Sequence, residues 1–458
     1  LFGRVKNIHF VGIGGSGMSG IAEVLLNLGY RVTGSDLVES EVTGRLADLG
    51  AVIHQGHRPG NIQEAQAVVV SSAVRGDNPE IEEARRQMIP IIPRAEMLAE
   101  LMRMKHGVAV AGAHGKTTTT SMIASILHHG GLDPTVVIGG RLGSLGSGGR
   151  LGQGDYLVAE ADESDGTFLK LSPTVAVITN MDREHMDHYR SMENLEEAFV
   201  SFANKVPFYG LTVACLDDPL LQNLIPRLTK RYMTYGMNTQ ADLVARDVVQ
   251  EGLETRFAVE YGGSPLGDVL MQVPGIYNVF NAMASLAVAL EIGVGFERAR
   301  EALASFSNAD RRFQILGRIR GATVVDDYAH HPTEIKAVLA AARGVCRGRL
   351  TVVFQPHRYT RTDDLMGEFM TAFYDADSLV VTEIYSAGEL PIPGVEAKKI
   401  WEGIVRHGHR QAVFISDLEE IASHLQGHLG DEDMVLTLGA GDVWRVGRRL
   451  IDDYGDNT

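Results

Sequence analysis

The apolar run Val108-Ala109-Val110-Ala111 leads directly into Gly112-Ala113-His114-Gly115-Lys116-Thr117-Thr118-Thr119-Thr120, and this junction constrains the chain more than any other stretch. The run reads as a buried strand. The glycines let the backbone turn tightly, so that several N–H groups point inward at phosphate oxygens. A helix after the loop aims the positive end of its dipole at the same anion. Lys116 adds a point charge near the β and γ phosphates, and the Thr117 hydroxyl is placed to ligate magnesium. The pattern implies a site for a nucleoside triphosphate. The loop is a shortened one, because Val110 stands where the full motif has its first glycine. A chance glycine turn capping a helix is the competing reading, and the order strand, loop, helix speaks against it.

A length of 458 residues sets a prior of about three domains. With 45% hydrophobic and 22% charged residues, the composition is that of an ordinary globular protein with material for several cores. The balance of 42 basic against 58 acidic side chains gives −16, so no nucleic-acid partner is expected; small anionic ligands need only a local cradle. Cys215 and Cys346 are too few for a disulfide framework or a thiolate zinc site, and a reducing cytoplasm is the expected compartment. No run of about 18 apolar residues exists, so no membrane insertion is expected. The first twenty residues lack a signal-peptide pattern. Because the chain starts at Leu1, a few residues are expected to precede it. A monomer or a homodimer is expected.

The periodicity predicts an α/β fold of three domains in series, at 1–106, 107–312 and 313–458. In the first, Ile8–Val11, Arg31–Thr33 and Ala67–Val70 read as parallel strands with a helix over 17–29. In the second, strands are expected at 108–111, 155–160 and 174–179, with an antiparallel flank over 240–275 and a flexible loop at Gly143–Gly149. In the third they are expected at Thr323–Asp326, Leu350–Phe354, Ser378–Val381 and Met434–Thr437.

Three further constellations carry chemistry. Gly12-Ile13-Gly14-Gly15-Ser16-Gly17 follows the first strand and opens a helix, with Asp36 at the end of the next strand where a ribose-binding acid often sits. Physically it supplies a diphosphate site, which a uridine diphosphate sugar fills as well as a dinucleotide does. The triphosphate loop in the next domain favours a nucleotide-linked substrate over a redox cofactor. In the middle domain, Glu160-Ala161-Asp162-Glu163-Ser164-Asp165 ends a strand beside that loop, where magnesium wants oxygen ligands. Glu160 is the expected direct ligand. His185, in the string 180–188 after the next strand, is either a further ligand or a capping residue. Asn278 and Asn281 lie three apart on one helix face, where carboxamides can read an adenine edge or simply cap the helix. Arg311-Arg312 stands at the last boundary, where an arginine could reach a γ-phosphate. Beyond it, Asp326–Glu334 and Gln355–Thr362 are strand-end loops rich in His, Arg and Tyr. Arg358 and Arg361 can hold a carboxylate.

Taken together, GIGGSGMSG at 12–20, AGAHGKTTTT at 111–120, EADESD at 160–165, DDYAHHPTEI at 326–335 and QPHRYTRT at 355–362 resemble the Mur ligases, ATP-dependent amide-forming enzymes of peptidoglycan synthesis. The resemblance covers about the whole chain. It implies a Rossmann-like UDP-binding domain, a central ATPase domain and a C-terminal Rossmann-like domain that brings the amino acid. The implied substrates are UDP-N-acetylmuramate, L-alanine and ATP with Mg2+. Gly14, Gly15, Ser16, Gly17 and Met18, with Asp36, Ser71, Ser72 and Arg94, are implied to hold the UDP-sugar. Gly112 to Thr118, with Asn278, Asn281, Arg312 and Asp326, are implied for ATP, and Thr117, Glu160 and His185 for the metal. Tyr328, His357, Arg358 and Arg361 are implied around the amino acid, and Lys116, His185, His330 and Arg358 in catalysis. The chain departs from the family at Tyr277, where many members have His, and at Asn308, where Gly is common. A tripeptide-recycling sister ligase is the nearest alternative. Its first loop tends to have cysteine where Gly14 stands. An NAD-dependent oxidoreductase leaves the acidic cluster and the arginine loop unexplained, and phosphate release that requires the amino acid would exclude a non-catalytic UDP-sugar sensor.

Overall fold

Short β-branched runs separated by helices build parallel sheets buried on both faces, and the chain forms three sheets with parallel cores of this kind, the second and third extended by antiparallel strands. The structure is a computed structural model that describes residues 5–15, 17–71, 73–142 and 147–456. Ser16, Ser72 and residues 143–146 lie outside the described residues.

The first sheet comprises β1 (Asn7–Val11), β2 (Arg31–Asp36), β3 (Val52–Gln55), β4 (Ala67–Val70) and β5 (Ile91–Pro93). Its order is β3-β2-β1-β4-β5, parallel throughout. The order reverses between β1 and β4, so the loops leaving those strands splay apart and open a crevice. Helices α1 (Met18–Asn27), α2 (Glu41–Asp48), α3 (Pro79–Arg86) and α4 (Arg94–Met102) connect and follow these strands.

The second sheet holds β6 (His106–Ala111), β7 (Thr135–Leu142), β8 (Ser147–Arg150), β9 (Tyr156–Glu160), β10 (Val175–Ile178), β11 (Leu211–Cys215), β12 (Tyr232–Gly236), β13 (Leu243–Glu251), β14 (Glu254–Tyr261) and β15 (Ser264–Met271). The order is β15-β14-β13-β12-β11-β10-β6-β9-β7-β8. Helix α5 (Lys116–His129) leaves β6, which lies between β9 and β10, so three loops converge at one edge of the sheet. The flank over 243–271 turns through Gly262 and Gly263 (φ 56° and 79°), a two-residue connection that only antiparallel neighbours can use. The expected flexible loop at 143–149 is corrected in part: Ser147–Gly149 belong to β8, which pairs antiparallel with β7. There the backbone lies so close to α1 that a Cβ on Gly149 would meet Gly20 O at 2.5 Å.

The third sheet holds β16 (Gln314–Ile319), β17 (Ala322–Asp327), β18 (Leu350–Phe354), β19 (Ser378–Val381), β20 (Ala412–Phe414) and β21 (Met434–Leu438) in the order β16-β17-β21-β18-β19-β20. Only β16 runs antiparallel to its neighbour. Aromatic packing fills one face, where the Phe354 ring lies 4.9 Å from Phe373 and 5.5 Å from Phe369.

Contacts divide the chain into two compact units. One takes residues up to Asp247 with Phe257–Val269 and Phe280–Ser307; the other takes Val248–Arg256, Leu270–Val279 and the chain from Asn308 onward. Among the described residues, no helix is long and apolar enough to cross a membrane.

Gly34 in β2 shows how tightly the first loop is seated, because a Cβ there would lie 2.5 Å from Ile13 Cδ1 and 2.7 Å from Ile13 Cβ. Overpacking of this kind costs about 1–3 kcal/mol. Gly34→Ala is therefore expected to lower the unfolding free energy by that amount, read as a lower urea midpoint at unchanged slope; an unchanged midpoint would show that the loop yields freely.

Candidate active site

The loop Gly112–Gly115 is built from the strand ends around it. Gly112 (φ 133°) passes so close to β10 that a Cβ would meet Thr179 Oγ1 at 2.1 Å and Asn180 O at 3.0 Å. The Ala113 N–H donates to Asn180 O (3.2 Å) and the His114 N–H to Asn180 Oδ1 (2.7 Å). The His114 carbonyl accepts from Thr179 Oγ1 (2.6 Å) and Asn180 Nδ2 (3.0 Å). Gly115 (φ 81°) then starts α5 with no side-chain cap, which leaves the first-turn N–H groups of Lys116, Thr117 and Thr118 for an external acceptor. Asn281 lies against the same turn: its Oδ1 accepts from Thr119 Oγ1 (3.1 Å), and a Cβ on Gly115 would meet it at 2.5 Å. Asn278 is buried, and its carboxamide donates to Pro274 O (2.8 Å).

Lys116 Nζ folds back on the Gly112 and Ala113 carbonyls (2.5 and 3.1 Å) and pairs with Glu163 Oε1 at 2.9 Å. Burial alone would push this ammonium down, but Glu163 and Asp162 outweigh it and hold it raised. Burial pushes the Glu163 carboxyl up to about 7, with Lys116 opposing. Glu163 Oε2 is buried without a hydrogen-bond partner. It groups with Glu184 and His185, their ligand atoms within 4.8 Å of one another. Two carboxylates and an imidazole, one carboxylate oxygen left over, suit a divalent cation beside phosphates. Glu160 ends β9, half-buried, and is not one of the three. Glu163 and Glu184 were not singled out from sequence, although both lie in the acid-rich strings. Clustering of acids was the signal; spacing does not say which way each side chain turns.

At the first sheet, the glycine loop after β1 is braced from β2 and α4. The Gly14 N–H donates to Asp36 Oδ2 (2.9 Å), so this carboxylate buttresses the glycine loop. A Cβ on Gly17 (φ 75°) would meet the Arg94 guanidinium at 2.5 Å, and Arg94 pairs with Asp162 at 2.9 Å. Ser71 follows β4 at the reversal of strand order, and Met18 is fully buried at the start of α1.

In the second unit, Arg311 donates to Asp326 Oδ2 (2.8 Å), Gly441 O (3.0 Å) and Gly439 O (2.6 Å). Asp326 Oδ1 accepts from Thr437 (2.6 Å), so Asp326 is a buried brace between strands. Tyr328 lies under both guanidinium groups, Arg311 at 5.2 Å and Arg312 at 5.3 Å from its ring centre. Burial pushes Asp327 up to about 6, with Arg312 opposing. His330 Nδ1 bonds the Tyr328 carbonyl (3.0 Å), which requires a proton on Nδ1 and leaves Nε2 as the basic nitrogen. Burial and Arg361 hold His330 well below the ordinary imidazole range. His357 stacks on Tyr385 (5.6 Å, 8°) and lies beside Arg361; burial, Arg361 and Arg358 push it down to about 3. In both cases the surroundings favour the neutral imidazole. Arg358, Arg311 and His185 share positive φ (69°, 59° and 58°), a costly backbone state for non-glycine residues that persists only where the surroundings impose it.

Three family descriptions match in succession: "Mur ligase family, catalytic domain" over residues 7–106, "Mur ligase middle domain" over 110–289 and "Mur ligase, glutamate ligase domain" over 311–441. The UDP-N-acetylmuramate–L-alanine ligase of Geotalea daltonii is 56% identical over 452 residues, 99% of each chain. That of Syntrophotalea carbinolica is 57% identical over 452 residues, again 99% of each chain. Among solved structures, the UDP-N-acetylmuramate-alanine ligase of Thermotoga maritima superposes with a TM-score of 0.84 at 33% identity, covering 98% of each chain. A murein peptide ligase from Psychrobacter arcticus shares the fold with a TM-score of 0.73 at 24% identity over 99% of each chain. With all three family regions in order along it, the chain belongs to the Mur ligase family.

Proposed function

We propose that this chain joins L-alanine to the lactyl carboxylate of UDP-N-acetylmuramate, with ATP converted to ADP and phosphate. The reading is carried by one observation: an uncapped helix start beside a buried lysine and a carboxylate–imidazole group, in a chain more than half identical along its length to ligases named for that reaction. The 24% identity of the recycling-type peptide ligase makes tripeptide transfer the weaker alternative. A cytoplasmic enzyme with three domains at 1–106, 107–312 and 313–458 is the organisation that goes with this reading.

In the mechanism, the glycine loop after β1, with Asp36, Ser71 and Arg94, orients the sugar nucleotide. The first turn of α5 and Lys116 hold the triphosphate; Asn278 and Asn281 are the proposed readers of the base and Arg312 the proposed partner of the γ-phosphate. Thr117, Glu160, Glu163, Glu184 and His185 are the residues available to Mg2+. Magnesium bound there supplies charge stabilisation for phosphoryl transfer. Lys116 contributes in the same way, once a phosphate replaces Glu163 as its partner. The lactyl carboxylate attacks the γ-phosphorus and displaces ADP, giving an acyl phosphate. Arg358 and Arg361 hold the L-alanine carboxylate, so that its free amine attacks the acyl carbon. The tetrahedral intermediate then expels phosphate and leaves the amide. His330 presents an unprotonated Nε2 that can accept a hydrogen bond from the amine, while burial and Arg361 oppose its becoming the final acceptor of the ammonium proton.

Phosphate release from Mg-ATP with UDP-N-acetylmuramate should be driven mainly by L-alanine and give a matching mass gain on the sugar nucleotide; release driven only by the L-alanyl-led tripeptide would move the chain to the recycling branch. Lys116→Ala should abolish ligation, at least about 10²-fold as for loss of one preorganised charge-stabilising group, while UDP-sugar binding survives. Removing one charge-assisted hydrogen bond costs about 1.5–3 kcal/mol, so Arg358→Ala should raise KM for L-alanine tenfold or more with KM for ATP unchanged.

The neutral His357 also makes stability depend on pH. Between about 6.5, the ordinary histidine value, and about 3 in the fold, the unfolded chain binds a proton that the native chain does not. Its contribution is complete above that window and is lost as the pH falls through it, at up to about 1.4 kcal/mol per pH unit. His357→Asn should therefore flatten the fall of the urea midpoint between pH 7 and 4.5; parallel profiles would contradict the buried neutral imidazole.

A further inference from the structure

Under the first sheet lies a charged group that the proposed reaction does not use. Glu80, in the first turn of α3, is fully buried, as are His9 of β1 and Ser35 of β2. Its carboxylate collects donors from three segments. Ser35 Oγ donates to Oε2 at 2.5 Å, Asn61 Nδ2 to Oε1 at 2.5 Å and the Arg58 N–H to Oε1 at 3.3 Å. His9 Nε2 lies 3.5 Å from Oε2. Burial opposes ionisation, but the nearby His9 and the bonds from Ser35 and Asn61 overcome it and hold the group down at about 2.

What this carboxylate holds is the back of the glycine loop. Ser35 sits opposite Val11, and its carbonyl accepts both the Gly12 N–H (2.8 Å) and the Ile13 N–H (3.0 Å). The Ser35 hydroxyl, oriented towards Glu80, takes its remaining bond from His57 Nδ1 at 2.8 Å. Asn61 also donates to Gly56 O (3.0 Å), and the Gly56 N–H donates to Asp36 O (2.7 Å). One buried charge thus fixes Ser35 and the turn beyond β3, the two segments that flank Asp36 and the entry to the loop. A buried carboxylate with this many donors gains little as a pure packing device, because its desolvation offsets much of the attraction. Fixing geometry is what the arrangement does.

We infer that Glu80 is a positioning residue for the diphosphate-binding loop, acting through the Ser35 hydroxyl to preset the loop for the uridine diphosphate moiety of the substrate. The inference rests on the UDP-sugar reading above. Glu80 touches no substrate; it sets the affinity of the loop that does.

The test is steady-state kinetics and calorimetric binding of UDP-N-acetylmuramate to the full chain, for wild type, Glu80→Gln, Ser35→Ala and the double variant. Glu80→Gln should raise KM and Kd for the UDP-sugar about tenfold or more, the scale of one lost charge-assisted bond. At saturating UDP-sugar, kcat and KM for ATP should stay within about twofold of wild type, as expected for a contact made equally before and during reaction. Ser35→Ala should show the same split, and the double variant should be no worse than Glu80→Gln, because both act along one chain of bonds. If Glu80→Gln does not fold, Ser35→Ala decides: unchanged UDP-sugar affinity there overturns the inference. Additive losses, or equal losses for all three substrates, overturn it as well. A wild type that binds no UDP-sugar overturns the proposed function itself; wild-type binding with an unaffected Glu80→Gln overturns only this inference.

Discussion

The site depends first on the clamp between the loop Gly112–Gly115 and the end of β10. Four hydrogen bonds from Thr179 and Asn180 engage Ala113 and His114, and the approach is so close that Gly112 has no room for a Cβ. Each of these polar groups would cost free energy if left buried and unpaired, so the loop has few ways to relax. The clamp holds the loop backbone in place and leaves the first-turn N–H groups of α5 without a side-chain cap, while Lys116 is paired with Glu163 and two loop carbonyls.

Charge placement follows from that clamp. With the loop fixed, Lys116 emerges where Glu163 can reach it, and the pair holds an ammonium in a buried place. A buried pair of this kind is weak evidence for stability; here it keeps the Lys116 ammonium charged despite its burial. The acidic loop after β9 serves two sites at once. Glu163 faces Lys116, while Asp162 takes Arg94, whose guanidinium also closes over Gly17. In the other unit, Arg311 is spent on Asp326 and two carbonyls. Arg361 lies beside His357 Nδ1 at 3.3 Å, and Arg358 opens the next short helix at positive φ.

Much of this was legible in the sequence because it lies at strand ends. The runs at 67–70, 350–354 and 378–381 read as strands and are strands with those bounds, since β-branched residues bounded by turn chemistry leave little choice. The loop at 112–115 was legible for the same reason. Contacts between distant segments were not. Asp326 reads as an acid at a strand end, yet Arg311 from an earlier turn and Thr437 from a strand 111 residues on occupy both its oxygens. Within one acidic string, Glu160 and Glu163 differ by which way a loop turns, and no periodicity governs a loop. Glu80 sits in a stretch, Pro79–Arg86, that is charged along most of its length. Nothing local marks it as buried; its partners come from β1, β2 and the turn beyond β3.

The central claim is that ATP activates the substrate carboxylate before the amine arrives. Turnover of UDP-N-acetylmuramate labelled with 18O in its lactyl carboxylate, with unlabelled ATP and L-alanine, tests this directly by mass spectrometry of the released phosphate. The account predicts one carboxylate 18O in each phosphate, because the oxygen that attacks phosphorus leaves with it. Phosphate free of label, with the amide still formed, would contradict carboxylate activation and the role assigned to the loop.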